Sequence, residues 1–382
     1  MPPEEGIGYF TYNLSRKLIE KGHQVTIITR GSLNKTQRET LDDIKVIKAP
    51  FIPLYPFYLH IHGMFVKRII KSLESEIDIL HFHTPLPPFI KTPFPTITTV
   101  HTPMLVDNRY IKISSLYSLL SKISAKLVSY PLELKIIQHS DIVTTVSKSV
   151  AQELREYHLN PERVAVVGNG VDEKLFCPKQ KISEDTKKYV MFAGRIDREK
   201  GLFDLVESAR YICSERSDVF FVIAGKGRDL DKLKQMVKKK GILNRFIFVG
   251  QVDRDQLVKL YQNATIFVFP SYHEGLPGAV LEAMSCGLPV VATDVRGNSD
   301  IIINEKNGIL VPPRSPRKLA DAIYKLLEHE DLRKNLGSNA RKIVEKRYSW
   351  NVVSNRFIRC YESLIEGNYE NMEFNPLMEE TG

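Results

Sequence analysis

Residues 269–283 read Phe-Pro-Ser-Tyr-His-Glu-Gly-Leu-Pro-Gly-Ala-Val-Leu-Glu-Ala, a pattern of strand, loop and helix that is typical of α/β proteins. An apolar strand leads into a loop rich in glycine and proline, and a helix is predicted from about Gly278. Glu274 lies in the loop, and Glu282 lies in the first turns of the helix. A carboxylate can accept hydrogen bonds from both hydroxyls of a ribose, and the loop amides can meet phosphate or sugar oxygens. The alternative for Glu282 is a helix-start carboxylate that complements the helix dipole.

The same alternation of short apolar strands and amphipathic helices runs along all 382 residues. Strands that are apolar at nearly every position are typical of parallel sheets covered on both faces, so the pattern predicts an α/β, doubly wound fold. The length predicts two domains. The predicted boundaries are an N-terminal Rossmann-like domain over 1–172, a linker over 173–188, a C-terminal Rossmann-like domain over 189–347, a helix over 348–366 and a polar tail over 367–382.

Gly6-Ile7-Gly8 stands before a predicted helix near the first residue of the sequence. Glycine lets a backbone approach a ligand, and a helix N-terminus attracts phosphate, so Gly6 is a candidate phosphate contact. A simple tight turn is the alternative. Sheets of this type usually begin with a strand before such a turn. That first N-terminal strand is apparently missing, and we expect a misplaced start or a trimmed chain.

A second glycine-rich loop, residues 194–201, follows a predicted strand and opens a helix. Open α/β sheets bind ligands at the carboxyl ends of their strands. Arg195 offers a planar fork of donors and Lys200 offers a point charge, which together could hold a diphosphate. A solvated loop with ordinary surface basic residues is the alternative.

Three histidines, His81, His83 and His101, end two successive predicted strands. His-x-His on a strand could bind a metal, but no further ligands follow at comparable strand ends, so no metal site is predicted. His101 alone is a candidate contact to a sugar or a phosphate, with a structural histidine as the alternative.

Other reactive side chains are interpreted as structural. Two Asp-x-Asp stretches, at residues 229–231 and 253–255, precede helices and are interpreted as helix caps. Cys286 and Ser147 are not framed by a base and an orienting acid, so no catalytic nucleophile is predicted.

The formal net charge is +9. The basic residues are spread along the chain without an aromatic-basic RNA motif, so we predict no nucleic-acid partner, and anionic substrates or an anionic membrane surface fit the charge. Residues 109–135 are typical of a basic amphipathic helix on a membrane, with a helix packed on the sheet as the alternative. Four separated cysteines, no membrane-spanning run and no signal pattern predict a cytoplasmic protein, peripheral at the inner membrane face in the membrane interpretation.

Taken in order, these motifs resemble the retaining family 4 glycosyltransferases of the GT-B fold over nearly the whole chain. Glu274 and Glu282 match the Glu-x7-Glu pair of that family, and residues 194–201 match its Gly-Arg…Lys-Gly loop. The other matching motifs are Gly22-His23-Gln24-Val25, Val146-Ser147-Lys148, Asn169-Gly170-Val171-Asp172, Gly225-Lys226-Gly227, Pro289-Val290-Val291-Ala292-Thr293 and Asn307-Gly308-Ile309-Leu310-Val311.

The resemblance implies two Rossmann-like domains that face each other across a cleft. It also implies transfer of a sugar, with retention, from a nucleotide-diphosphate sugar to a glycan, lipid or small-molecule acceptor, with no obligatory metal and no other cofactor. The family's Gly-Gly turn reads Glu5-Gly6 here, which places an anionic side chain near the expected phosphate.

The implied roles fall on residues that match the family's motifs. Arg195 and Lys200 would hold the diphosphate, and Glu282 would bind the ribose. Glu274 would bind the sugar hydroxyls, and His101 would lie beside the sugar and phosphate. The four catalytic candidates are thus His101, Glu274, Arg195 and Lys200, and the donor-binding set adds Gly6, Gly275, Leu276, Pro277 and Glu282.

Two other functions stay open from the sequence. A nucleotide-sugar 2-epimerase has a related architecture, and a non-catalytic sugar-nucleotide- or glycan-binding protein would bind the donor without transferring the sugar. Nucleotide release that depends on an added acceptor separates a transferase from both.

Overall fold

The computed structural model describes residues 6–33, 35–54, 57–85, 87–105, 122–123, 125–179 and 187–367. The chain divides into two compact units. Unit 1 takes in Met1–Asn169 and Asn351–Gly382, and unit 2 takes in Gly170–Trp350. Unit 2 is therefore inserted into the sequence of unit 1.

Unit 1 contains the strands β1 (Thr26–Arg30), β2 (Gln37–Leu41), β3 (Ile44–Ala49), β4 (Leu80–Thr84), β5 (Thr96–Val100), β6 (Ile142–Thr145) and β7 (Val164–Val166). One sheet, in the order β4-β5-β6-β7, is parallel, and a second has the order β1-β3-β2. β2 is antiparallel to β3, which the predicted parallel pattern did not include. Asp42 and Asp43 join these two strands with φ angles of 46° and 66°, the left-handed conformation of a two-residue hairpin turn.

Unit 2 contains the strands β8 (Lys188–Ala193), β9 (Val219–Ala224), β10 (Phe246–Gly250), β11 (Ile266–Phe269), β12 (Val290–Thr293) and β13 (Ile309–Val311). They form one parallel sheet in the order β10-β9-β8-β11-β12-β13. Every residue of β11 and β12 is buried, because helices cover both faces of such a sheet. The strand order reverses between β8 and β11, which makes their carboxyl ends the switch point where sheets of this type bind ligands.

Helices connect these strands. They are α1 (Gly6–Glu20), α2 (Tyr58–Ser72), α3 (Tyr130–His139), α4 (Lys148–Glu153), α5 (Leu202–Glu215), α6 (Leu230–Lys239), α7 (Arg254–Asn263), α8 (Gly278–Ser285), α9 (Asn298–Ile301), α10 (Pro316–Glu328), α11 (Glu330–Arg347) and α12 (Trp350–Glu366). Within the described ranges, no helix is both long enough and apolar enough to cross a membrane. The region before Gly6, where a strand was expected to be absent, and residues 368–382 of the predicted tail lie outside the described residues.

The helix α12 belongs to unit 1 from Asn351 onward. Val353, Phe357, Cys360 and Leu364 are buried along it, and their spacing of three or four residues places them on one face. The end of the chain therefore supplies part of the core of unit 1.

The first and last residues of unit 2, where the chain leaves unit 1 and returns to it, are hydrogen-bonded to each other. Val171 pairs with Ser349, and its N–H donates to the carbonyl oxygen of Tyr348 at 2.8 Å. The Trp350 N–H donates in turn to the carbonyl oxygen of Val171 at 3.2 Å. A β-carbon on Gly170 would lie 2.2 Å from the Trp350 ring, so only glycine lets the indole cover the backbone here.

The linker was predicted over residues 173–188, and its first part packs within unit 2. Phe176 is fully buried. The Arg341 guanidinium donates to the carbonyl oxygens of Glu173, Phe176 and Ser285 at 2.9, 2.8 and 2.7 Å. The hydroxyl of Ser285 also donates to the Phe176 carbonyl at 2.6 Å. This segment is anchored rather than a free spacer, and residues 180–186 lie outside the described ranges.

Replacing Arg341 with alanine is expected to lower the free energy of unfolding by about 3 kcal/mol, because three carbonyl oxygens lose a charged donor. Chemical denaturation followed by fluorescence measures the change. Lys342→Ala is the matched control, since Lys342 is exposed and should alter the free energy by less than about 0.5 kcal/mol. Equal effects of the two variants would show that Arg341 does not anchor the segment.

Candidate active site

A close approach of two loops brings Lys200 to Glu274 in unit 2. Gly201 has a φ of +68°, and a β-carbon on it would lie 1.8 Å from the carbonyl oxygen of Pro270. The loop after β8 therefore lies directly on the loop after β11, a contact that only glycine permits. Lys200 Nζ lies 2.6 Å from Glu274 Oε1, with the two side chains 17% and 10% exposed. The structure thus joins two of the four predicted catalytic residues in one ion pair.

The Glu274 loop is also held from the side of β12. Gly297 has a φ of +83°, and a β-carbon there would lie 2.8 Å from the carbonyl oxygens of both Glu274 and Gly275. Beside it, Arg296 Nη2 lies 2.6 Å from Nδ1 of His273. Glycines in two neighbouring loops therefore fix the backbone that carries Glu274.

The loop residues predicted to contact a donor present little surface. Gly275, Leu276 and Pro277 are buried, whereas Gly278, the first residue of α8, is exposed. The helix begins where the sequence predicted it.

Arg195 lies in the loop that follows β8, and its side chain is 66% exposed. Its Nη1 lies 3.6 Å from Oδ2 of Asp197, whose side chain is only 9% exposed. Lys200 and Arg195 thus lie in one loop but contact different carboxylates. Asp197 was not among the residues predicted from the sequence, although its place in the Gly-Arg…Lys-Gly loop was a usable signal.

Glu282 lies in α8 with its side chain 15% exposed. The Tyr261 hydroxyl donates to Oε2 at 3.1 Å, and Arg254 Nη1 lies 3.7 Å from Oε1. Burial raises the pKa of the Glu282 carboxyl, while the charge of Arg254 and the hydrogen bond from Tyr261 lower it. Burial and the adjacent Glu282 raise the pKa of Tyr261 well above its usual range, so the phenol stays protonated. Both partners come from α7 and were not predicted, because nothing in sequence spacing links that helix to α8.

Three partly buried histidines form a cluster in unit 1. His81 Nδ1 lies 2.8 Å from the Tyr361 hydroxyl, and its Nε2 lies 2.7 Å from Thr99 Oγ1. His83 Nδ1 lies 3.3 Å from His101 Nε2. The ends of β4 and β5 therefore bring His83 and His101 into contact.

Burial lowers the pKa of all three imidazoles. The pKa of His83 falls to about 4, and burial followed by repulsion from neighbouring imidazoles takes those of His81 and His101 well below the usual range. All three rings are therefore neutral near pH 7. Between His83 and His101 one nitrogen must donate and the other must accept. Phe10 packs edge-on against His101 with ring centroids 4.8 Å apart.

Gly6 is exposed at the first turn of α1, with a φ of +61°, and among the described residues no atom lies within 4 Å of a β-carbon built on it. Backbone conformation, not lack of space, therefore favours glycine there. Gly6 and His101 belong to unit 1, whereas the other predicted site residues belong to unit 2.

Alternative reactive groups serve structural roles. In the part of the chain that the structure covers, no group of three or more His, Cys, Asp or Glu side chains is arranged to hold a metal ion. Asp253 caps α7 in a capping box, which confirms its predicted role. Ser147 is buried and caps α4, and burial raises the pKa of the Cys286 thiol. Neither side chain is poised as a nucleophile.

The predicted basic helix over residues 109–135 is described only in part, since residues 106–121 and 124 lie outside the described ranges. In the remainder, a π-helical turn over Ala125–Ser129 leads into α3. Ile123 is 45% and Leu127 is 69% exposed. Lys126 lies between them and is also exposed.

Two family models match adjoining halves of the chain: Glycosyltransferase Family 4 over residues 5–175 and Glycosyl transferases group 1 over residues 173–343. An uncharacterised glycosyltransferase of Methanocaldococcus jannaschii is 28% identical over 378 residues, which cover 94% of this chain and 95% of the relative. Sucrose-phosphate synthase from Thermosynechococcus elongatus has a similar structure, with a TM-score of 0.79, 22% identity and coverage of 95% and 94%. An Anabaena protein solved with UDP and glucose gives a TM-score of 0.72, 16% identity and coverage of 95% and 97%.

Both units carry parallel sheets of the Rossmann-like type, and the structural neighbours share the GT-B fold. The family matches, the relative and the ordered motifs agree along the chain. The chain therefore belongs to the family 4 glycosyltransferases, with a carboxyl-terminal half of the group 1 type, and is a glycosyltransferase.

Proposed function

We propose that this glycosyltransferase moves a sugar, with retention, from a nucleotide-diphosphate sugar to a glycan, lipid or small-molecule acceptor, without an obligatory metal ion. The observation that carries the proposal is the Lys200–Glu274 ion pair at the carboxyl edge of the unit 2 sheet, with Arg195 in the same loop. This edge is the switch point of the sheet, where ligands of such folds bind. The UDP in the Anabaena structure makes UDP-sugars the first donors to test.

Lys200 and Arg195 are assigned to the donor diphosphate. A leaving diphosphate gains negative charge as the glycosidic bond breaks, so fixed cations stabilise the transition state more than the ground state. When the donor binds, Lys200 exchanges its contact with Glu274 for a phosphate oxygen. Glu274 is then free to accept hydrogen bonds from hydroxyls of the donor sugar.

Glu282 is assigned to the ribose. Its two oxygens are oriented by Tyr261 and Arg254, and each oxygen has lone pairs left for a hydroxyl donor. The carboxyl must be ionised to accept two hydroxyls. Burial raises its pKa, and the charge of Arg254 and the hydrogen bond from Tyr261 oppose that shift.

Retention is proposed to follow from attack on the face from which the diphosphate leaves. The acceptor oxygen bonds to the anomeric carbon as the bond to the phosphate oxygen breaks, and that phosphate oxygen takes the acceptor's proton. No protein nucleophile is needed, which agrees with the structural roles of Ser147 and Cys286.

His101 is assigned to the donor sugar and phosphate as a neutral hydrogen-bonding group. Its Nε2 contacts His83, and its Nδ1 is assigned to the ligand. If His101 Nε2 donates to His83, Nδ1 is unprotonated and accepts a hydrogen bond from the ligand. If Nε2 accepts from His83, Nδ1 carries the proton and donates to the ligand.

Lys200→Ala should lower kcat roughly 100- to 1000-fold, because it removes a cation that stabilises the leaving diphosphate and leaves Glu274 without its partner. Release of UDP from a panel of UDP-sugars, with and without candidate acceptors, measures this. Lys238→Ala is the control, since Lys238 is an exposed lysine of the same unit.

Parental turnover in Lys200→Ala would contradict the assignment of this cation. Epimerised sugar nucleotide formed without an acceptor would favour the epimerase. Donor binding without transfer or hydrolysis would favour the non-catalytic binding protein.

Acidification should destabilise unit 1 through His83. The unfolded chain protonates this imidazole near pH 6.5, whereas the folded protein does so only near pH 4. The contribution of His83 to the free energy of unfolding is therefore fully present above about pH 6.5. It is lost as the pH falls towards 4, by roughly 3 kcal/mol. Denaturation curves from pH 7 to pH 4 measure the loss.

The matched variants for this pH dependence are His83→Gln, which should flatten it, and His60→Gln at an exposed position, which should not. A parental pH profile in His83→Gln would show that His83 is not responsible.

We further propose that the protein associates peripherally with an anionic membrane surface at the cytoplasmic face. The exposed side chains of Ile123 and Leu127, with Lys126 between them, support this. Apolar side chains flanked by lysine are suited to the headgroup region of an anionic bilayer.

Leu127→Asp should reduce co-sedimentation with vesicles of anionic lipid at low salt several-fold, because a carboxylate replaces an inserting apolar group. Leu243→Asp is the control, since Leu243 is an exposed leucine of unit 2. No binding of the parent protein to such vesicles would remove the membrane proposal while leaving the transferase proposal intact.

A further inference from the structure

Two glycine-rich loops pack closely against each other at the carboxyl ends of β8 and β9. A β-carbon on Gly225 would lie 1.9 Å from the carbonyl oxygen of Gly194, and one on Gly227 would lie 2.3 Å from that of Ile196. The Ile196 N–H donates to the carbonyl oxygen of Lys226 at 2.9 Å. The loop after β9 is thereby fixed against the loop that carries Arg195.

The packing of these two loops places two guanidiniums on one carboxylate. Arg195 Nη1 lies 3.6 Å from Asp197 Oδ2, and Arg228 Nε lies 3.4 Å from Asp197 Oδ1. The backbone N–H of Arg228 also donates to Oδ1 at 3.3 Å. Asp197 is buried at 9% exposure, while the side chains of Arg195 and Arg228 are 66% and 82% exposed. A buried anion thus orients two guanidiniums that remain open to solvent.

The charges at this edge are unevenly balanced. Lys200 and Glu274 form a pair with no net charge. Arg195 and Arg228 share the single negative charge of Asp197, so this group carries a net charge of +1. Before any ligand binds, the two arginines therefore attract an anion more strongly than Lys200 does.

We propose that Arg228 and Arg195 together form a phosphate-binding site, with Asp197 as the positioning residue that aligns them. Two planar forks that contact the two oxygens of one carboxylate suit the several oxygens of a phosphate or diphosphate. The site deepens the proposed function and rests on it for the identity of the ligand, since Arg195 is there assigned to the donor diphosphate. Arg228 was not among the residues that sequence reasoning selected.

Binding of UDP, GDP, ADP and inorganic pyrophosphate is measured by calorimetry at two salt concentrations for the parent protein, Arg228→Ala, Asp197→Asn and Lys238→Ala. Arg228→Ala should weaken binding roughly ten- to hundredfold and make it less dependent on salt. Lys238→Ala removes the same charge from an exposed site on α6 and should bind like the parent. Because the Arg228 side chain is 82% exposed, its variant should keep the parental unfolding temperature.

Asp197→Asn tests the positioning role. It keeps an acceptor for the Arg228 N–H but loses the charge that aligns both guanidiniums. The double variant Arg195→Ala/Arg228→Ala should show that the two effects on affinity are not additive in the parent background. In the Asp197→Asn background the effects of the same two replacements on affinity should become additive. If Asp197 only stabilised the fold, the coupling between the two arginines would not change.

The outcomes separate this site from the proposed function. A nucleoside diphosphate that binds Arg228→Ala as tightly as it binds the parent overturns the site and leaves the proposed function standing. Pyrophosphate binding that needs Arg228, with no nucleotide bound, supports the site and overturns the nucleotide-sugar donor. No binding of any probe to the parent overturns both.

Discussion

The contact between the backbone of Gly201 and the carbonyl of Pro270 is the constraint on which the unit 2 site depends. A β-carbon at Gly201 would overlap that oxygen at 1.8 Å, so any other residue would push the β8 and β11 loops apart. Lys200 directly precedes this contact, and Glu274 follows it in the second loop. The distance of 2.6 Å between their charged atoms therefore follows from backbone packing, which brings the two largely buried side chains together.

The two units treat charge in opposite ways. At the edge of the unit 2 sheet, carboxylates are matched to arginines and lysines, and exposed guanidiniums keep a positive balance. In unit 1 the polar groups at the strand ends are imidazoles that burial keeps neutral. One edge attracts anions by charge, and the other offers hydrogen bonds from neutral groups.

Local chemistry was predictable, and contacts between distant segments were not. The loop of Glu274 and the helix start at Gly278 follow from residues that are adjacent in sequence. The antiparallel β2 was missed because an Asp-Asp turn is a weaker hairpin signal than Asn-Gly. Tyr261 and Arg254 were missed because their contact with Glu282 depends on how α7 and α8 pack. The glycine-rich loop after a predicted strand identified Arg195 and Lys200, yet only the coordinates show that they contact different carboxylates.

The insertion of unit 2 between the two parts of unit 1 sets an order of synthesis. Residues of α12, including Phe357 and Cys360, are buried in unit 1, but the ribosome makes them only after all of Gly170–Trp350. Unit 2 is contiguous, with its two ends held together by the pairing of Val171 and Ser349. It can therefore finish folding on the nascent chain before α12 is made. The core that Met1–Asn169 forms with α12 is completed only afterwards.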